Sequence, residues 1–246
     1  MELKNIFKME MYKSRNNKPY LWVIAILTAM AAVATFLGIA MIEDKIASDG
    51  GVFALLITLI TFVIIGLAVF TLLYPFHLLN VDYKNKVMSL IFASGVSREK
   101  YYFVKISATI INCLIATFVI LLIPMVTFLL FYPQTFVEIM QNIIKEFSIA
   151  NIATFVTMAI FSLLGHYVML TTSVIITRGK VGGIFLFLGF SFAISTIRSV
   201  MSTVMILSMN EIKDINTFFN AVTVLSILQI VVFAFIGLRV LRKQDL

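Results

Sequence analysis

Six long apolar blocks, of which the fifth is interrupted by one charged residue, dominate the pattern of apolar and polar positions along the chain. Each is apolar on every face and covers about 20 residues or more, the length that an α-helix needs to cross a hydrocarbon layer of roughly 30 Å. Strands of a membrane β-barrel alternate apolar and polar residues over about 10 positions, so the pattern excludes a barrel. The sequence therefore predicts an all-α membrane protein with six transmembrane helices, and the blocks cover residues 20–42, 52–79, 106–131, 149–176, 181–209 and 219–238.

The flanking charges predict the orientation. Fifteen of the 19 lysines and arginines fall on one side of the predicted spans. Because cytoplasmic loops carry the excess of Lys and Arg, we expect both termini in the cytoplasm. The anionic inner leaflet accounts for the net charge of +7 without a nucleic-acid partner.

Composition agrees with a multi-pass chain. Hydrophobic residues make up 61% of the 246 positions, more apolar surface than one soluble core could bury. Cys113 is the single cysteine and is expected to be a packing residue, so no intrachain disulfide is possible. No repeat and no loop long enough for a soluble domain is visible, so we expect one transmembrane domain over residues 1–246.

The most polar interior stretch, DYKNKVMSLIFASGVSREKYYFVK, lies in a predicted cytoplasmic loop over residues 80–105. A helical projection places apolar and polar residues on opposite faces of one amphipathic helix. Ser94-Gly95 predicts its end and Ser97 an N-cap for the next helix, with Glu99 in the first turn. The predicted apolar face is Tyr83, Val87, Leu90 and Ile91, and the polar face is Asp82, Asn85, Lys86 and Ser89.

Two interpretations of this loop remain open. It is either an interfacial helix that lies flat on lipid, or a lever that docks into another protein and moves two transmembrane helices. The chain has no G-x-x-x-x-G-K-[ST] segment, so it cannot hold ATP phosphates in a P-loop. Any use of ATP would therefore come from a partner.

The same stretch resembles the coupling-helix region of type-2 ABC transporter permeases. The matching residues are Asp82-Tyr83, Asn85, the segment 94–98 and Lys105, whereas Lys86-Val87 stand where Gly-Thr is common in that family. The resemblance implies six helices, cytoplasmic termini, an N-terminal interfacial helix and contacts to ATPase subunits in both cytoplasmic loops. The implied contact residues are Asp82, Lys86, Ser97, Arg98 and Arg178.

The resemblance also implies a function. The chain would be a non-enzymatic permease subunit in a bacterial plasma membrane, pairing with a second copy or a similar permease and with two ATPase subunits. It would itself bind no cofactor or metal, because ATP and Mg²⁺ would belong to the ATPases. The nearly uncharged first, second and fifth helices would line the path of an amphipathic or hydrophobic cargo, such as an antimicrobial or cytolytic peptide or a lipid; no residue is assigned to that path.

An N-terminal interfacial helix is predicted over residues 1–19. Its apolar side chains cluster on one face beside a basic stripe, Glu10 and Ser14 interrupt the apolar face, and Pro19 is expected to break the helix just before the first span. The apolar cluster is Leu3, Ile6, Phe7 and Met11, and the basic stripe is Lys4, Lys8 and Arg15.

Arg198 is the costliest residue of the predicted spans, at about 2.5–3.5 kcal/mol for a charge at the bilayer centre. A fifth span over residues 181–198 would place it about 26 Å along the helix, near the outer interface, where it would snorkel without a buried partner. A role of Arg198 in contacting substrate is the alternative that the sequence leaves open. Residues 199–218 would then form an external re-entrant segment, as the family resemblance implies.

Two other classes of protein fit the sequence less well. An ATP-independent secondary transporter or channel needs ionisable residues at mid-membrane depth, and the sequence offers little beyond His166 and Arg198. An intramembrane enzyme is disfavoured: the G-x-S-x of residues 189–192 follows both histidines, no supporting motif accompanies it, and H-E-x-x-H is absent. His77 and His166 are expected to be packed polar residues rather than metal ligands.

Overall fold

The computed structural model describes residues 3–42, 50–131, 133–134, 137, 141, 149–208 and 215–244. Within these residues every regular element is an α-helix. Its helices include α1 (Leu3–Arg15), α2 (Lys18–Ile42), α3 (Gly50–Lys84), α4 (Val87–Ala93), α5 (Arg98–Phe131), α6 (Ile149–Ile176), α7 (Gly182–Ser208) and α8 (Ile215–Lys243).

Six of these helices are long and apolar enough to cross a membrane, which confirms the predicted all-α class and its six spans. Their membrane-compatible portions are Lys18–Ala40, Ile57–Lys84, Arg98–Phe131, Asn151–Ile176, Gly182–Met205 and Asn216–Lys243. Transmembrane character follows from this length and hydropathy.

Several helices extend past their predicted spans. α3 continues to Lys84 rather than residue 79, and α5 begins at Arg98 rather than residue 106. The predicted loop 80–105 is therefore mostly helix, because backbone hydrogen bonding continues after the apolar pattern has ended. α7 likewise continues through the predicted boundary at Arg198 to Ser208, while residues 209–214 of the predicted re-entrant segment lie outside the described residues.

The chain divides into two compact units. The N-terminal unit comprises Glu2–Tyr74 and Ser107–Gln141, and the C-terminal unit comprises Pro75–Ile106 and Asn142–Leu246.

Aromatic packing and one close helix contact characterise the N-terminal unit. The Tyr20 ring lies 4.5 Å from that of Tyr74, and its hydroxyl donates to the Asn112 carbonyl at 3.0 Å. A Cβ on Gly66 would lie 2.5 Å from a methyl of Leu27, so a glycine lets α3 approach α2 closely. Cys113 is buried, as expected for a packing residue.

α1 differs from its predicted amphipathic pattern. Among those of its residues whose burial is described, the buried ones are Ile6, Glu10 and Ser14, which recur every four positions along one line. Glu10 and Ser14, the polar residues predicted to interrupt the apolar face, therefore lie on the same line as Ile6 and are buried with it. Ser14 satisfies its hydroxyl by donating to the Glu10 carbonyl at 3.0 Å.

The predicted break at Pro19 is also wrong. The break between α1 and α2 falls at residues 16–17, and Pro19 lies in the first turn of α2. Proline is tolerated there because the first turn of a helix needs no backbone N–H donor.

In the C-terminal unit α6 packs against both α7 and α8, and the α6–α8 pair is the more extensive. The two helices approach at Gly237, where an added Cβ would lie 2.7 Å from the Thr172 hydroxyl. That hydroxyl donates to the Phe233 carbonyl at 2.9 Å and links the buried helix faces. This pair positions both sites described below.

Candidate functional site

The first site is the segment 82–105, here called the 82–105 bracket, which joins the end of α3 to the start of α5 through α4. Two residues with positive φ shape it, Lys86 at +52° and Gly95 at +85°. Each follows a helix end, where left-handed backbone lets the chain reverse. The predicted stop at Gly95 is confirmed, whereas Lys86 occupies a conformation that costs a non-glycine residue about 1 kcal/mol or more.

The predicted cap of α5 is also confirmed. The backbone N–H of Lys100 donates to the Ser97 hydroxyl at 3.3 Å, which is N-cap geometry, and Glu99 lies in the first turn. These features depend only on neighbouring residues.

The predicted amphipathic faces of the loop are wrong in part. Leu90, assigned to the apolar face, is 69% exposed, whereas Asp82, assigned to the polar face, is fully buried. The residues of α4 that are buried are Met88 and Ile91. The projection failed because the left-handed Lys86 separates two helices, so residues 82–91 share no single helical axis.

Asp82 anchors the bracket from inside. Its carboxylate Oδ2 accepts a hydrogen bond from the Tyr101 hydroxyl at 2.9 Å and forms an ion pair with Lys105 Nζ at 2.5 Å. All three residues are at most 1% exposed. A buried pair of opposite charges with a third hydrogen-bonding group fixes the last turn of α3 against the first turns of α5.

Arg98 ties the bracket to the end of α8. Its guanidinium Nη1 donates to the carbonyls of Leu241 and Arg242, at 2.7 and 2.6 Å. These carbonyls belong to the last turn of α8, where helical acceptors have no helical partner. Glu99 adds an exposed ion pair with Arg242.

Gln244 completes this connection. It is buried, accepts a hydrogen bond from the Tyr83 hydroxyl at 3.0 Å and donates to the Ile175 carbonyl at 2.7 Å. One side chain beyond the end of α8 therefore links the ends of α3 and α6.

The second predicted cytoplasmic loop, residues 177–180, ends α6 with two hydrogen bonds, from Gly179 N–H to the Val174 carbonyl and from Arg178 N–H to the Ile175 carbonyl. This is a Schellman motif with Arg178 in its left-handed position, at a φ of +52°. A Cβ on Gly179 would lie 3.1 Å from that of Tyr83, so this turn lies directly against α3.

The structure thus divides the predicted contact residues into two sets. Lys86, Ser97 and Arg178 are exposed, whereas Asp82 is buried and Arg98 is half-buried and bonded to α8. Sequence reasoning missed Leu90 as an exposed apolar side chain and Gln244 as a buried link. The exposure of Leu90 depends on the positive φ at Lys86, which only the structure shows. No local sequence pattern indicates the buried link at Gln244.

The second site surrounds Arg198. Its Nη1 donates to the Ser162 hydroxyl at 3.0 Å, and its Nη2 donates to Ser226 at 3.1 Å and to Gln229 Oε1 at 3.2 Å. The expectation that Arg198 snorkels without a buried partner is therefore wrong, because α7 continues beyond it and α6 and α8 both present polar groups to it.

Two of these partners lie near the middle of the helices that carry them. Ser162 and Gln229 are each within two residues of the midpoint of their spans, Asn151–Ile176 and Asn216–Lys243. Arg198 itself is about 24 Å from the start of α7 and about 15 Å from its end, at about 1.5 Å per residue. The guanidinium is thus held inside the helical portion and not at a terminus.

A cavity of about 200 Å³ opens beside this group. Its polar lining comes from α6, α7 and α8, and the His166 ring stands edge-on to Phe187 with centroids 4.8 Å apart. The polar residues that line the cavity are Ser162, His166, Ser191, Ser195, Arg198 and Gln229.

Within the described residues, no group of three or more His, Cys, Asp or Glu side chains could hold a metal ion. Comparison of the chain with protein-family models, with curated proteins and with solved structures finds no match. Functional inference therefore depends on the geometry of the two sites.

Proposed function

We propose that this chain is the transmembrane subunit of an ATP-binding-cassette exporter. Separate ATPase subunits would drive it to move an amphipathic or hydrophobic molecule, such as a cytolytic or antimicrobial peptide or a lipid, out of a bacterial cell. The observation that carries the proposal is the 82–105 bracket, a short helix with an exposed apolar side chain, Leu90, held by buried polar contacts to the ends of the transmembrane helices.

The bracket has the mechanical properties that coupling needs. A push on α4 would reach α3 and α5 through the Asp82–Lys105 pair and would reach α8 through Arg98. Buried, charge-assisted hydrogen bonds resist deformation better than exposed ones, so the displacement would pass to the spans instead of being lost in the loop.

The ATPase contact would then consist of exposed residues. Leu90 would be the apolar centre, and Lys86, Ser97 and Arg178 would be polar neighbours, while Asp82 and Arg98 would act as positioning residues behind them. Apolar anchors surrounded by polar groups are typical of protein interfaces.

The backbone at Lys86 also supports the family resemblance. Its positive φ favours glycine, and Lys86 stands where the resembling permeases commonly have glycine. The excess of Lys and Arg on this side of the predicted spans supports a cytoplasmic location for the bracket and for both termini.

The proposal is tested by co-purification with a nucleotide-binding-cassette ATPase from the same genome. We expect the ATPase to co-purify with the wild-type chain in detergent and its recovery to fall at least tenfold with Leu90→Asp and with Lys86→Glu. Lys4→Glu, an equal charge reversal at an exposed position of α1, is the matched control and should retain the ATPase. Equal recovery by all variants would indicate that the bracket only rests on lipid.

A second candidate is an ATP-independent secondary transporter or channel. The Arg198 cavity favours it, because Arg198 and His166, the two ionisable residues that such a protein would use, line one cavity at mid-depth. Transport by the purified chain in vesicles without any ATPase, abolished by Arg198→Gln, would establish this candidate in place of the exporter.

A further inference from the structure

The Arg198 cavity carries an inference that goes beyond coupling to an ATPase. Within the described part of the chain, Arg198 forms no ion pair, and all three of its hydrogen-bond acceptors are neutral. Its buried Nε has no acceptor among the described residues. A guanidinium has five N–H donors, so the neutral partners leave part of its hydrogen-bonding capacity unused.

The Arg198 charge also has no compensating anion among the residues that the structure describes. A cation held at mid-depth is normally paired with an anion or opens on a water-filled cavity, since hydrocarbon cannot solvate it. Here the three neutral oxygens supply hydrogen bonds but no negative charge. A ligand that brings one negative charge would therefore gain a charge-assisted contact that none of the described residues provides.

Two further donors line the same cavity. Ser191, Ser195 and Arg198 recur at i, i+4 and i+7 and so share one face of α7. Other hydroxyls in the spans, such as that of Thr196, donate back to a carbonyl one turn earlier, at 2.9 Å in this case. Ser191 and Ser195 make no such bond in the described structure, so both hydroxyls are available to a ligand.

The size of the cavity limits the ligand. A volume of about 200 Å³ equals that of about seven water molecules, at about 30 Å³ each. It admits one carboxylate or phosphate group with a few waters, but not a folded peptide. The surrounding faces of α7 are apolar and exposed, with Phe192 76% exposed beside the cavity-lining Ser191, and would suit an attached hydrocarbon chain.

We propose that the Arg198 cavity binds the single oxyanion, a carboxylate or a phosphate, of an amphipathic molecule whose apolar part lies along the outer face of α7. Arg198 supplies the positive charge, Ser191 and Ser195 supply hydroxyl donors, and Ser162, Ser226 and Gln229 hold the guanidinium in position.

The test is equilibrium binding to the purified full-length chain in nanodiscs of neutral phosphatidylcholine, without any ATPase. Four probes are compared: laurate, dodecyl phosphate, dodecanol and inorganic phosphate. We expect at least one of the two alkyl anions to bind at least tenfold more tightly than dodecanol and than inorganic phosphate. The preferred alkyl anion then distinguishes a carboxylate source from a phosphate source.

Variants locate the binding in the cavity. We expect Arg198→Gln to weaken the preferred alkyl anion at least tenfold and Ser195→Ala to weaken it about threefold, while Thr196→Val, one position along α7 and not in the cavity lining, leaves it unchanged. Dodecanol should bind all four proteins equally.

Two results would overturn the proposal. Equal affinity of the wild-type chain for dodecanol and for both alkyl anions would show that no oxyanion is recognised, and this arm needs no variant to fold. Inorganic phosphate bound as tightly as the alkyl anions would show a free-anion site instead of an amphiphile site. Because no ATPase is present, either result leaves the proposed exporter function to its own co-purification test.

Discussion

The carboxylate of Asp82 and the ammonium group of Lys105 form a buried ion pair across 23 residues of sequence, with Tyr101 as a second donor to the same oxygen. The pair is the innermost contact of the 82–105 bracket. It fixes the junction between two spans, in a segment whose sequence resembles a polar surface loop. The two charges stay together because breaking the pair would leave one of them buried and unpaired.

The first prediction concerns this pair. Asp82→Ala should lower the free energy of unfolding by about 3–5 kcal/mol, because it leaves the Lys105 charge buried and uncompensated. Asp82→Ala combined with Lys105→Met should recover much of that loss. The measurement is equilibrium unfolding in mixed detergent micelles. As control, Glu99→Gln removes an exposed ion pair and should change stability by about 0.5 kcal/mol or less. An equal loss of stability in Asp82→Ala and in Glu99→Gln would contradict a buried Asp82–Lys105 pair.

The second prediction concerns backbone conformation. Lys86→Gly should stabilise the chain by about 0.5–1 kcal/mol, because glycine adopts a φ of +52° without the steric cost that lysine bears. Lys100→Gly, inside the first turns of α5, is the matched control and should destabilise by about 0.5–1 kcal/mol. The same unfolding titration measures both, and a loss of stability in Lys86→Gly would show that this turn is not left-handed.

The third prediction concerns the end of α8. Arg98→Gln should free the last turn, because hydrogen bonds from a charged donor to Leu241 and Arg242 are each worth about 1.5–3 kcal/mol. Hydrogen exchange measured by mass spectrometry should therefore accelerate over residues 239–244. Arg239→Gln, an exposed arginine on the same helix, should leave that rate unchanged. An unchanged rate of hydrogen exchange in Arg98→Gln would mean that the hydrogen bonds from Arg98 do not hold the end of α8.

The fourth prediction compares two glycines inside helices. Gly237→Ala should destabilise the chain by about 1–3 kcal/mol, since the new Cβ would lie 2.7 Å from the Thr172 hydroxyl and 3.0 Å from the Tyr102 hydroxyl. Gly189→Ala, where nothing lies within 4 Å, should gain about 0.5–1 kcal/mol from helix propensity. Thermal unfolding in detergent distinguishes them, and a shift of the same sign in both would contradict close α6–α8 packing.

The local features of the bracket were predictable from short segments. Gly95 and Ser97 act as expected because helix stops and N-caps depend on backbone groups within about four residues. The helix boundaries were less predictable, since hydropathy ends where polar residues begin while the backbone ladder continues, as at Lys84 and Arg98.

The burial of individual polar residues could not be predicted in this way. Asp82 has the composition and position of a surface residue, and the partners that bury it lie 19 and 23 residues away. The sequence predicts Arg198 at a helix end, because no pattern within α7 indicates the polar groups that α6 and α8 present to it. A pattern within one helix contains no information about donors and acceptors on another helix.

The sequence by itself determined that this is an all-helical chain with six apolar spans and where several helices begin or end. It could do so because the free energy of placing apolar side chains in lipid adds up residue by residue, and because each helix satisfies its own backbone. Tertiary structure alone decided that Asp82 is an internal anchor, that Leu90 faces outward and that Arg198 lines a polar cavity. Whether a polar group is buried depends on which distant segments supply its hydrogen-bonding partners. Those segments meet only when the helices pack.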